Sequence, residues 1–169
     1  MSLPPVYLVD ASVYIFRAWF SMPDAFVNAA GEPTNAVYGF SGFLWSLPAQ
    51  TAAEHVAVAF DVGKTFRHEM FPEYKGHRER MPDELRTQIE RIKQVVETLN
   101  IPIFTAEGFE ADDVLATLAR QAEGQGVDSL IVTGDHGMVG IQERDRVDLD
   151  ADPGYWRDVV LLGGEPRAR

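Results

Sequence analysis

Six carboxylates carry the chemistry this chain can be expected to perform: Asp10, Asp61, Glu110, Asp112, Asp113 and Asp135. Asp10, Asp61 and Asp135 end or closely follow apolar runs: Val6-Tyr7-Leu8-Val9, Val56-Ala57-Val58-Ala59-Phe60 and Leu130-Ile131-Val132-Thr133-Gly134. Glu110-Ala-Asp-Asp113 opens an amphipathic helical pattern. Carboxylates brought together from strand ends and a helix start repel one another, and a hard divalent cation relieves that repulsion. Two such ions can activate a water and stabilise the leaving oxygen in phosphodiester cleavage. Each acid also has a plainer reading. Asp and Glu suit a helix start through the macrodipole, and an Asp ending a strand can simply cap the next helix. Plain capping does not require six acids in this arrangement.

A second stretch, from Thr65 to Arg80, interleaves Phe66, Phe71 and Tyr74 with Arg67, Lys75, Arg78 and Arg80. Cations there can contact phosphates while a ring stacks on an unpaired base. Lys75 can offset charge developing on a scissile phosphate. The competing reading is a solvated loop whose rings dock on the core. From Lys64 to Arg80, five basic residues outnumber Glu69, Glu73 and Glu79, although the chain as a whole carries a net charge of −11. His136, beside Asp135, is expected to be an exposed neighbour, and His55, His68 and His77 are assigned no chemistry.

These groups need elements to position them. Strands are predicted over 6–10, 56–61, 103–105 and 129–133, with a weak last strand near Val147 and Leu149. Helices are predicted over 11–21, 34–47, 82–99 and 110–123. The third carries an apolar face of Leu85, Ile89, Ile92, Val95, Val96 and Leu99. Tyr38, Phe40, Phe43 and Trp45 read as core packing. Strands alternating with helices imply a three-layer α/β domain with a mostly parallel sheet, whose working site lies beyond the carboxyl ends of the strands. Residues 62–82 hold Gly63, Pro72, Gly76 and Pro82 and show no sustained period, so a long, partly disordered excursion is expected. One domain over 1–150 and a short irregular tail over 151–169 complete the expectation.

The 169 residues are 46% hydrophobic and include no cysteine, which excludes disulfides, zinc–thiolate sites and cysteine catalysis. No apolar run reaches membrane-spanning length and no signal pattern opens the chain, so a cytoplasmic location is expected. There is no phosphate-binding P-loop and no GxSxG elbow.

Val9-Asp10-Ala-Ser12, Ala36-Val-Tyr-Gly-Phe40, Ala59-Phe-Asp61, Phe66-Arg67, Tyr74-Lys75-Gly-His-Arg78, Gly108-Phe-Glu-Ala-Asp-Asp-Val-Leu-Ala116 and Val132-Thr-Gly-Asp135 occur in an order that resembles the 5′→3′ exonuclease and flap endonuclease family. The resemblance spans residues 6 to about 145. It implies a resolvase-like α/β nuclease domain with two Mg²⁺ or Mn²⁺ ions. A helical arch or loop above the site would admit DNA with a single-stranded 5′ end or flap. By position, Asp10, Asp61, Glu110, Asp112, Asp113 and Asp135 would be metal ligands. Lys75 and Arg78 would act on the scissile phosphate, and Phe66, Arg67, Tyr74 and Arg80 would bind substrate.

Two departures bear on that reading. The family's second Asp after Thr-Gly-Asp is replaced by Gly137, and the sequence ends at Arg169 before a helix–hairpin–helix region. The alternative expectation is therefore a truncated, degenerate domain that binds one metal ion and single-stranded DNA with little turnover. A small-molecule phosphatase fits less well, because a small substrate needs no basic and aromatic arch.

Overall fold

The computed structural model describes residues 4–76 and 80–134, together with the backbone of 160–163. In chain order the elements are β1 (Val6–Asp10), α1 (Ala11–Ser21), α2 (Asn35–Thr51), β2 (His55–Ala59), α3 (Phe66–Met70), α4 (Asp83–Thr98), β3 (Ile103–Phe104), α5 (Ala111–Gly124), β4 (Ser129–Thr133) and β5 (Val160–Gly163). They form one five-stranded sheet in the order β3-β2-β1-β4-β5. The first four strands run parallel, and β5 joins the edge antiparallel to β4. The mostly parallel α/β architecture expected from the sequence is the one observed.

β1 is central because both its faces are apolar. Tyr7 and Val9 point into a core shared with α1, α2 and α4, while Leu8 packs with Ala57, Ala59, Ala111, Leu115 and Ile131 under α5. Helices thus cover both faces, as a parallel sheet requires. Burying side chains such as Val9 and Ile131 stabilises the sheet by roughly 1.5–3 kcal/mol each. The small side chains of Ala57 and Ala59 let α5 sit close to the strands. Parallel pairing in register sets Asp10 opposite Ala59 and Val9 opposite Val132. The carboxyl ends of β1, β2 and β4 therefore lie at one edge, and α1 and α5 start there.

Several expectations change in detail. α2 continues past Leu47 through Pro48 to Thr51, whose hydroxyl bonds the Leu47 carbonyl at 2.6 Å. Phe40 and Phe43 are buried, but Tyr38 and Trp45 are 59% and 78% exposed, so only two of the four rings are core. Helical spacing turns positions 40, 43, 44 and 47 inward together and leaves 38 and 45 outside. Leu99 follows α4 and is exposed, so it does not extend that helix's core face. The excursion after Gly63 contains α3, capped where the ring nitrogen of His68 meets the Thr65 backbone N–H at 3.1 Å. In the tail read as irregular, Val160–Gly163 forms β5, because pairing with β4 supplies a partner that the local sequence does not reveal. The strand expected near Val147 and Leu149 lies outside the described residues.

Among the described residues no helix is long and apolar enough to cross a membrane. One polar device holds the helical layer together. Gln88 is buried on the inner face of α4, accepts the backbone N–H groups of Ala36 and Val37 at 2.8 and 3.1 Å, and donates to Asn35 at 2.9 Å. The open N-terminus of α2 is thereby capped by a side chain 52 residues away.

Candidate active site

Asp10 ends β1 and caps α1. Its Oδ1 accepts the Ser12 N–H at 3.0 Å, and its Oδ2 accepts the Thr133 hydroxyl from the end of β4 at 3.3 Å. The residue is only 4% exposed. Burial, then the charges of Asp112 and Asp61, push its carboxyl up to about 7, against the lowering effect of its two hydrogen bonds. A buried acid under the charges of two further acids is the arrangement a bound cation would relieve.

Asp61 lies two residues beyond β2. Its Oδ2 accepts the Ser12 hydroxyl at 2.6 Å, and its Oδ1 accepts the Ala111 N–H at 2.7 Å. Ala111 is the first residue of α5, so Asp61 caps that helix from 50 residues away. The capping role weighed from the sequence is real for Asp10 and Asp61. It also explains why they are held in place, since each carboxylate is fixed by donors from another element.

Glu110 and Asp113 face the other way, toward the basic segment. Arg67 grips Asp113 with two parallel bonds, Nη1 to Oδ2 at 2.6 Å and Nη2 to Oδ1 at 2.8 Å. Asp113 Oδ2 also accepts the Glu110 N–H at 3.1 Å. The guanidinium bonds hold the Asp113 carboxyl below its ordinary range and raise the pKa of Arg67. Lys75 Nζ lies 2.5 Å from Glu110 Oε1, and the Tyr74 hydroxyl reaches Oε2 at 3.4 Å.

The carboxylates are thus divided. The charges of Asp112 and Asp61 bear on Asp10 at the strand edge, while Glu110 and Asp113 are drawn to Lys75 and Arg67. Among the described residues no three acidic or histidine side chains converge on one point. The oxygen-only donor set around Asp10 still matches the chemistry of a hard divalent cation.

Of the expected substrate residues, Arg67, Lys75 and Tyr74 meet the acidic edge directly. Phe66 packs its ring on Phe109, with centroids 5.6 Å apart. Arg80 does not reach the site; it extends into solvent near Asp83, 4.0 Å away. Arg78 and Asp135, with His136 and Gly137, lie outside the described residues. Sequence reasoning assigned no role to Ser12 or Thr133. Their hydroxyls anchor Asp61 and Asp10, and the only sequence signal was their place within Asp-Ala-Ser and Thr-Gly-Asp.

Residues 5–153 match the family model described as the 5′-3′ exonuclease, N-terminal resolvase-like domain. The chain is 50% identical over 140 residues to DNA polymerase I of Chloroflexus aurantiacus, covering 82% of this chain and 15% of that protein. It is 43% identical over 161 residues to DNA polymerase I of Mycobacterium bovis, covering 94% of this chain and 16% of that protein. The chain therefore spans about a sixth of the length of these relatives. Among solved structures, the bacteriophage T5 5′-exonuclease with bound zinc ions superposes with a TM-score of 0.58 at 26% identity, over 79% of this chain and 50% of that one. The bacteriophage T5 flap endonuclease in a pseudo-enzyme-product complex with DNA and metal ions gives 0.61 at 23% identity, over the same shares, and supports the fold. This chain belongs to the 5′→3′ exonuclease family, as its N-terminal resolvase-like domain.

Proposed function

We propose that the chain is a divalent-metal-dependent 5′→3′ nuclease domain that hydrolyses phosphodiester bonds in DNA bearing a single-stranded 5′ end or flap. The observation that carries this reading is the buried carboxyl of Asp10, acted on by the charges of Asp112 and Asp61, with Lys75 and Arg67 held on Glu110 and Asp113 at the same helix start. Asp10, Asp61 and Asp112, with Glu110 beside them, would hold Mg²⁺ or Mn²⁺. Asp135 belongs to the same proposed ligand set. Such an ion supplies Lewis acidity, which acidifies a water and offsets charge on the phosphate.

The chain's own residues do the rest. Ser12 and Thr133 fix the carboxylates by hydrogen bonds, so their oxygens need little reorganisation on binding. Lys75 and Arg67 bring positive charge to the edge where a phosphodiester would lie. Lys75 would neutralise charge on the scissile phosphate, with Arg78 as its expected companion. The Lys75 ammonium lies over the Tyr74 ring, 5.1 Å from its centroid, and an unpaired base would stack on Tyr74 once Lys75 turns to a phosphate. Phe66 would support that segment from below through Phe109.

The test is cleavage of a 5′-flap DNA duplex in Mg²⁺ by the parent chain and by Asp10→Asn, Asp61→Asn and Asp112→Asn. Losses of at least about a thousandfold are expected from each. Undiminished cleavage by these variants would sink the assignment.

A second reading is a domain that holds one ion and single-stranded DNA with little turnover. The pairing of Glu110 and Asp113 with Lys75 and Arg67 favours it, because those acids are already engaged. Counting Mn²⁺ sites by calorimetry beside the turnover assay separates the two. One site without turnover supports the second reading, and two sites with turnover support the first.

A further inference from the structure

We propose that Arg67 and Asp113 form a latch that fixes the Lys75-bearing segment over the acidic edge, and that Asp113 is a positioning residue and not a metal ligand. The positioning role rests on the nuclease reading above; the latch itself does not. It departs from the ligand role that family resemblance implies for Asp113.

Both oxygens of Asp113 are already engaged. Three donors occupy the two oxygens of Asp113: Nη2 on Oδ1, and both Nη1 and the Glu110 N–H on Oδ2. A cation would have to displace a bidentate, charge-assisted pair, the strongest kind of side-chain hydrogen bonding in proteins. Adjacent positions on a helix point apart, so Asp113 does not share the direction of Asp112.

The segment also needs an external hold. α3 is five residues long, too short to be stable by itself. Lys75 adopts φ +57, a left-handed backbone that costs a non-glycine residue about 1 kcal/mol or more. Tertiary contacts must offset both. They form a continuous seam along Gly108 to Asp113. Thr65 bridges Gly108, the Phe66 N–H bonds the Gly108 carbonyl at 2.8 Å, Phe66 packs on Phe109, and Arg67 closes the seam on Asp113. Gly108 presents that carbonyl at φ +83, which glycine tolerates. Arg67 is the seam's charged, geometrically selective member, and a lysine cannot reproduce its planar fork. Eight residues on, Lys75 then reaches Glu110.

The experiment compares the parent chain with Asp113→Asn, Arg67→Met, the double variant, Arg67→Lys, and Asp61→Asn as the ligand control. Mn²⁺ affinity is read by calorimetry, single-turnover cleavage on 5′-flap DNA, and segment exposure by limited chymotrypsin cleavage at Phe71 and Tyr74. A latch predicts that Asp113→Asn binds Mn²⁺ within about threefold of the parent, while Asp61→Asn loses more than about tenfold. Asp113→Asn and Arg67→Met should each slow cleavage by about ten- to a hundredfold. The double variant should be no slower than the worse single one, because both remove the same contact. Arg67→Lys should recover part of the rate. Chymotrypsin should cut both single variants faster than the parent. An Mn²⁺ loss in Asp113→Asn equal to that in Asp61→Asn would overturn the proposal, as would fully additive effects in the double variant. A parent chain that binds Mn²⁺ but never cleaves would refute the nuclease reading alone. Calorimetry and proteolysis would still decide the latch.

Discussion

The hydroxyl of Ser12 donates a 2.6 Å hydrogen bond to Oδ2 of Asp61, joining the first turn of α1 to the segment just beyond β2 across 49 residues. The same Ser12 gives its N–H to Asp10. One residue thus sets the spacing of two carboxylates whose charges oppose each other. Ser12→Ala removes the hydroxyl and leaves the backbone bond. Divalent-cation affinity should fall by about tenfold, with thermal stability nearly unchanged, and Ser12→Thr should recover most of the loss. Mn²⁺ calorimetry beside a melting curve checks this; an unaltered affinity in Ser12→Ala would show that the bond positions nothing.

Asp10 makes stability depend on pH in an unusual direction. Burial, then Asp112 and Asp61, raise its pKa from 3.8 to about 7, so the folded state holds this proton more tightly than the unfolded chain does. The associated stability is fully present below pH 3.8 and is lost as pH rises through about 7. In chelator, urea unfolding should reveal a loss on the order of a few kcal/mol across that window. Asp113 has the opposite sign. Its lowered pKa gives stability above the ordinary carboxylate range that is lost on acidification, outside the window of Asp10. Saturating Mg²⁺ should flatten the Asp10 slope by binding the ionised form, and Asp10→Asn should abolish it. A metal-free chain equally stable at both ends of the window contradicts the assignment.

Gln88 offers a test of the scaffold apart from the chemistry. Gln88→Leu keeps the volume approximately but orphans the buried N–H groups of Ala36 and Val37 and removes the donor to Asn35. Unfolding free energy should drop by about 2–4 kcal/mol. Mn²⁺ affinity of the folded protein should stay within about twofold, since no site residue touches Gln88. A drop under half a kcal/mol would mean that water replaces the cap.

Ala59 links scaffold to site. It is 1% exposed beneath α5 and two residues before Asp61. Ala59→Leu should overpack that interface by about 1–3 kcal/mol and push α5 off the sheet. The Ala111 N–H would then move away from Asp61, and Mn²⁺ binding should weaken along with stability. Ala57→Leu should destabilise similarly with a smaller effect on metal, because it lies four residues from Asp61. Equal metal affinity in both variants and the parent would separate helix docking from site geometry.

Much of this protein was determined locally. β-branched apolar runs define β1, β2 and β4, and amphipathic spacing defines α4 and α5, because side-chain periodicity follows backbone geometry. Right-handed parallel crossovers then bring Asp10 and Asp61 to one edge, beside the start of α5. The arrival of Asp10 and Asp61 at one sheet edge was therefore legible from residue type and position.

Only the tertiary structure decided how those acids are shared. Arg67 and Asp113 are 46 residues apart, Lys75 and Glu110 are 35, and Thr133 and Asp10 are 123. Such pairings have no periodicity to read. They arise when chain segments meet, and each partner is chosen by distance and desolvation. The same reason hid the Gln88 cap, the outward turn of Tyr38 and Trp45, and the pairing of β5. The sequence by itself specified a set of carboxylates at the mouth of a parallel sheet. Three-dimensional packing divided that set, leaving Asp10 under the charges of Asp61 and Asp112 and giving Glu110 and Asp113 to the basic segment.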